Sequence, residues 1–102
     1  MSGADRDVVF AALADGHRRL LLDRLRMENG QTLAQLAKGL EISRQAVTKH
    51  LVVLEEAGLV LSRRSGRSRR HYLNPVPIHA VAMRWLAPFD ALSLTVLTAG
   101  EE

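Results

Sequence analysis

The stretch SRQAVTKHLVVLEEAGLV, residues 43–60, decides the fold. Ser43 is well placed to cap a helix with its hydroxyl. Beyond it, Val47, Leu51 and Leu54 recur at helical spacing as a ladder for burial, widened by Ala46, Val53 and Ala57. Arg44, Gln45, Thr48 and Lys49 are left pointing outward near the start. Gly58 can take the left-handed backbone that ends a helix. One part of the helix is thus anchored while its first turns are presented. Any amphipathic surface helix has this pattern, so the flanking sequence decides what is being presented.

Upstream, the turn Asn29-Gly30 precedes Thr32, a cap for a short helix in which Leu33, Leu36, Ala37 and Leu40 fall at i, i+3, i+4 and i+7. Only Glu41 and Ile42 separate Leu40 from Ser43, so residues 32–57 are expected to form a helix-turn-helix. Within residues 1–28, Val8, Val9, Ala12 and Leu13, then Leu20, Leu21, Leu22 and Leu25, predict two short helices broken at Asp15-Gly16. The basic pairs Arg18-Arg19 and Arg24/Arg26, interrupted by Asp23, read as a solvated face.

Downstream, LVLSRRSGRSRRHYLN, residues 59–74, predicts two strands turning at Ser65-Gly66. The formal charge of +3 is concentrated here: the first 57 residues balance to zero, whereas Arg63, Arg64, Arg67, Arg69 and Arg70 meet no acid between residues 58 and 74. A basic hairpin alone can be a solvated edge that resists strand addition. Directly after a helix-turn-helix, it suits contact with a polyanion. The expected fold is mainly α with a small β-hairpin (α+β), a winged helix-turn-helix of about five helices and a two-stranded wing.

After Pro75 and Pro77, the segment 78–98 carries Ile78, Val81, Ala82, Trp85, Leu86, Phe89, Leu92 and Val96 at helical spacing, with Met83, Leu94 and Leu97 widening the apolar surface. A helix apolar over most of its circumference needs more than one neighbour. Either it closes the monomer core against the amino-terminal helices, or it meets a second subunit through aromatic anchors such as Trp85 and Phe89. Pro88 costs about 3 kcal/mol inside a regular helix, so a kink is expected near Arg84 to Ala87.

Composition excludes other classes. A chain of 102 residues suits one domain. No cysteine is present, which removes disulfides, thiolate metal sites and thiol nucleophiles. The opening MSGADRDVVF lacks the basic and apolar pattern of a secretory signal, and no apolar run reaches the roughly 20 residues of a membrane span, so a soluble cytoplasmic protein is expected. No motif sets a nucleophile beside a base and no phosphate-cradling glycine loop occurs, so catalysis is not expected. His17, His50 and His71 are expected to lie scattered through the fold, and no cofactor or metal is expected.

The segments VFAALADGHRRLLLDRL (9–25) and LAQLAKGLEISRQAVTKHLVVLEEAGLV (33–60), with a basic hairpin ending HYLN at residue 74, resemble the ArsR/SmtB family of bacterial winged-helix repressors, in the subgroup lacking metal-binding cysteines. The resemblance implies a homodimer on double-stranded DNA, one recognition helix per subunit in successive major grooves. Arg44 and Gln45 would read base edges, Gln45 suited to adenine and Arg44 to guanine, Thr48 would meet a base edge or a phosphate, Lys49 a phosphate, and Ser43 would serve as both cap and phosphate donor. Arg63, Arg64, Arg67, Arg69 and Arg70 would supply the wing, with Arg67 and Arg69 preferred. Val81, Trp85, Phe89, Leu92 and Val96 would form the dimer interface. His50 is either packed beside the ladder or a reader. Of the family's metal sites, the cysteine class is excluded, and the class on paired last helices finds only His79 and Asp90, eleven residues apart. The resemblance leaves the effector unspecified. A protein-interaction module and a nonspecific nucleic-acid binder are the rival readings.

Overall fold

Asp15 follows the first helix and caps the second. The computed structural model describes residues 3–90 and 92 of the chain, beginning with helices α1 (Gly3–Leu13) and α2 (Gly16–Met27). Asp15 holds extended backbone, φ −116° and ψ 132°, and its Oδ1 accepts the Arg18 amide at 3.1 Å. That amide, foremost, holds the Asp15 carboxyl below the usual aspartate range. The last carbonyls of a helix have no partner within it. At the end of α1, Arg18 Nε donates to Ala12 O at 2.8 Å, Arg18 Nη2 to Ala11 O at 3.0 Å, and Arg19 Nη1 to Leu13 O at 2.8 Å. Arg24 likewise ties Leu36 O and Lys38 O at 2.8 and 2.7 Å. Three of the four arginines expected on a solvated face are therefore helix-end ties. Only Arg26 keeps that description, 3.6 Å from an equally exposed Asp23.

The wing has three strands where two were expected. β1 (Gln31–Thr32) pairs antiparallel with β3 (Ser68–Leu73), which pairs with β2 (Val60–Ser65), giving the order β1-β3-β2. Gln31 opposes His71 and Thr32 opposes Arg70. A strand of two residues has no alternation to detect, and Gly30, with φ 78°, turns the chain into it.

Thr32 also caps helix α3 (Leu33–Ala37) through a reciprocal capping box with Gln35. This helix ends earlier than its apolar spacing suggests. Leu40 packs from the following turn, so the connection to α4 (Arg44–Glu56) begins at Lys38. Ser43 caps α4, its Oγ accepting the Ala46 amide at 3.0 Å. At the far end, Leu59 N donates to Leu54 O at 2.9 Å and Gly58 N to Glu55 O at 3.0 Å, the paired bonds of a Schellman motif. Gly58 sits at φ +77° with its nearest added-Cβ neighbour, Pro77 Cγ, at 3.9 Å, so only the backbone demands glycine. Gly58→Ala is expected to cost about 1–2 kcal/mol, read as a lower urea midpoint at unchanged slope. A loss below about half a kcal/mol contradicts the strain argument.

The core gathers Val9 and Ala12 from α1, Leu21, Leu22 and Leu25 from α2, Leu36 from α3, Val47, Leu51 and Leu54 from α4, and Leu59 and Val60 at the sheet. Val81 completes it from α5 (Val76–Val81) and is 1% exposed. Its expected place in a dimer interface is therefore corrected: it seals the chain's own core where α5 meets α1. The path continues through a π-helical turn, Ala82–Leu86, into α6 (Ala87–Asp90). Pro88 has no amide hydrogen and crowds the carbonyl four residues earlier, and the wider turn precedes it where a kink was expected. Among the described residues, no helix is long and apolar enough to cross a membrane.

Candidate nucleic-acid interface

Helix α4 is held from behind and open in front. Val47 and Leu54 are fully buried and Leu51 nearly so, while Arg44, Gln45, Thr48 and Lys49 are all exposed on its first two turns. Ser43 is exposed too, although its oxygen is engaged as the cap. Thr48 Oγ1 donates to Arg44 O at 2.9 Å, which leaves this hydroxyl to act outward mainly as an acceptor. Arg44, Gln45 and Lys49 carry the long polar groups able to enter a groove.

His50 is turned away from this surface. Its side chain is 19% exposed, and its Nδ1 lies 3.4 Å from Arg18 Nη1, so it packs toward α2. The reading of His50 as packed is the one the geometry supports.

In the wing, Arg63 lies opposite Arg70 and Arg64 opposite Arg69. Like charges directly opposed across a strand pair destabilise it, and a bound polyanion would relieve that cost. Opposed residues share a face. Val60, Ser62 and Arg64 therefore lie with Leu73, His71 and Arg69 on the side that covers the core, while Leu61 and Arg63 lie with Tyr72 and Arg70 on the other. Beyond the buried Val60 and His71, the first face reaches Arg64 and Arg69. Arg69 lines a groove of about 420 Å³ with Thr48, Leu51 and Val52 of α4, and its Nη1 donates to Ser62 Oγ at 2.8 Å.

The five arginines are not equivalent. Arg63, Arg64, Arg67 and Arg69 are exposed, whereas Arg70 is half-buried and donates to Gly30 O at 2.9 Å. Arg70 therefore braces the wing against the turn before β1. At the same root, Asn29 Oδ1 accepts the Leu73 amide at 2.8 Å, and Asn74 Nδ2 donates to Gly58 O at 2.9 Å. Buried His71 points Nδ1 at Gln31 O, 3.0 Å away. Sequence reasoning missed these braces because their partners lie up to 44 positions away.

Of the remaining expected site residues, Trp85 lies in the π-helical turn, Phe89 on α6 and Leu92 in the turn after it. Trp85, Phe89 and Leu92 are 50%, 56% and 61% exposed, and Val96 lies outside the described residues. Trp85 and Phe89 meet edge to face with centroids 5.0 Å apart.

A capped helix-turn-helix backed by a core and flanked by an arginine wing defines a DNA-binding protein of the winged-helix class. Comparison with known proteins agrees. A helix-turn-helix domain family matches residues 13–63. An uncharacterized HTH-type transcriptional regulator of Bacillus subtilis, YuzN, is 42% identical over 88 residues, spanning 80% of this chain and 96% of that protein. The arsenic resistance transcriptional regulator ArsR1 of Pseudomonas putida is 34% identical over 97 residues, spanning 85% of this chain and 75% of that protein. An ArsR-like transcriptional regulator from Rhodococcus sp. RHA1 superposes with a TM-score of 0.73 at 36% identity, over 94% of this chain and 89% of that one. The chain belongs to the ArsR family and is a DNA-binding transcriptional regulator.

Proposed function

We propose that residues 1–102 act as one unit, a cytoplasmic homodimeric repressor that occupies a short inverted repeat and blocks transcription by occlusion. The observation that carries this reading is the exposed Arg44, Gln45 and Lys49 beside a wing of opposed arginines. In this reading α4 enters the major groove, and a second copy places its own α4 about 34 Å along the duplex. Gln45 pairs with adenine and Arg44 with guanine, while Lys49 contacts phosphate. Arg63, Arg64, Arg67 and Arg69 follow the backbone, with Arg67 and Arg69 foremost; Arg70 contributes charge from its bracing position. Ser43 and Thr48 contact the duplex through oxygens that also serve the helix. The dimer forms through the segment that begins near Trp85 and runs toward residue 98. No enzymatic step belongs to this reading.

The test is selection of bound duplexes from a random pool, then titration of the winner against scrambled DNA at two salt concentrations. An enriched inverted repeat bound at least about a thousandfold more tightly is expected. A steep salt slope without enrichment means a nonspecific nucleic-acid binder, and absence of binding means a protein-interaction module.

Two variants separate reading from positioning. Gln45→Ala should cost about 1–3 kcal/mol on the selected site and relax base preference at one position per half-site. Arg67→Ala should weaken every sequence alike and reduce the logarithmic salt slope by about 0.9 for each phosphate that is no longer neutralised. If both variants bind operator and scrambled DNA with equally reduced affinity, this division of roles is wrong.

A further inference from the structure

The fold brings together three side chains that stand far apart in the sequence. Asp15 precedes α2, His17 lies in its first turn, and His50 lies midway along α4. One ligand atom from each lies within 4.8 Å of the others. The two imidazole rings have centroids 5.6 Å apart, and His50 Nδ1 lies 3.9 Å from Asp15 Oδ1. His17 and His50 therefore meet where a scatter through the fold was expected, whereas His71 points at Gln31 O.

From this cluster we infer a site for a divalent transition-metal ion of the zinc or cobalt type, ligated by Asp15, His17 and His50 and open to water at a fourth position. Two imidazoles and one carboxylate suit such ions, whereas calcium and magnesium prefer oxygen ligands throughout. Tetrahedral bonds of about 2.0–2.1 Å place ligand atoms roughly 3.4 Å apart. The three side chains must draw inward to reach that spacing. His17 is exposed and Asp15 is 34% exposed, so side-chain rotation can supply the movement while both backbones stay in place.

The cation beside the cluster has to be accommodated. Arg18 Nη1 lies 3.4 Å from His50 Nδ1 and 3.9 Å from Asp15 Oδ2. An arginine can only donate, so in this contact His50 Nδ1 presents a lone pair, the form in which imidazole binds a metal. The ion takes the place of Nη1 at that lone pair. The guanidinium is planar and rigid, so it moves as a whole to make room for the ion and gives up its bonds to Ala11 O and Ala12 O.

The consequence is a clamp between the start of α2 and the middle of α4. Such an ion binds the folded chain in preference to the unfolded one, because only the folded chain assembles the three ligands. This inference stands apart from any DNA reading, and its test uses no DNA.

Metal-free, tag-free protein is titrated with cobalt(II) chloride and followed by visible ligand-field absorption, and its melting temperature is measured with and without zinc chloride. One Co²⁺ per chain is expected, with a higher melting temperature in zinc. His17→Ala and His50→Gln should each weaken cobalt binding at least about tenfold, and Asp15→Asn, which keeps a capping oxygen, should weaken it too. His79→Ala, on α5, should bind as the parent does. The site is refuted by absence of ligand-field bands up to millimolar cobalt, by unchanged affinity in His17→Ala, or by loss of binding in His79→Ala. Exposed His17 makes that variant decisive even if His50→Gln fails to fold.

Discussion

Trp85→Ala is expected to leave the fold intact and to dissociate the homodimer proposed above. The indole is half exposed within the chain, so its removal opens no cavity in the core of Val9, Leu21 and Val81. What it removes is the centre of an apolar surface: Met83, Leu86, Phe89 and Leu92 are also more than half exposed. Trp85 is held edge to face against Phe89, and aromatic anchors of this kind concentrate binding energy at interfaces. A loss of about 2 kcal/mol or more is expected, roughly thirtyfold in the dimer dissociation constant. Sedimentation should show monomers at concentrations where the parent chain is paired, with unchanged helical circular dichroism. Binding to a two-half-site duplex should fall as well, since a single α4 reaches only one half-site. Unchanged sedimentation, or an unfolded variant, overturns the interface assignment.

Leu54→Ala should instead strike the fold. Leu54 is fully buried on the rear of α4, and its carbonyl also accepts the Leu59 amide that closes the helix. Truncating a buried leucine costs about 2–5 kcal/mol through reduced burial and the cavity left behind. In a chain of about 100 residues, that lowers the melting temperature by roughly 10 °C or more. Protein still folded at low temperature should keep the parent's base preference, since Arg44, Gln45 and Lys49 are untouched. A cost below about 1 kcal/mol would mean that the ladder does not anchor the helix.

The features legible in the sequence are those whose partners are near in the chain. Ser43 with Ala46, Thr32 with Gln35, and Gly58 with the end of α4 are local chemistry, and each takes its expected role. The outward set on α4 follows from the same periodicity that buries Val47, Leu51 and Leu54. Residues whose partners are distant backbone atoms left no such trace. Arg18, Arg24 and Arg70 look like surface charge in the sequence, yet each ends on a carbonyl. Val81 lies on a helix apolar around most of its circumference, and periodicity cannot tell which stripe meets the chain's own core. His17 and His50 meet only because α2 packs against α4.

The bracing at the wing root also sets how the hairpin moves. Leu73 is bonded to Asn29, Asn74 to Leu59 and Gly58, and Arg70 to Gly30, whereas the turn at Gly66 has nothing within 4 Å of where a Cβ would stand. Backbone amides near residues 71–74 should therefore exchange with deuterium only through large openings, and those at the tip through local fraying. The hairpin behaves as a lever with a stiff root and a compliant end. Contact at the tip then sacrifices conformational entropy in only a few residues, while a load applied there passes into the turn between α2 and β1.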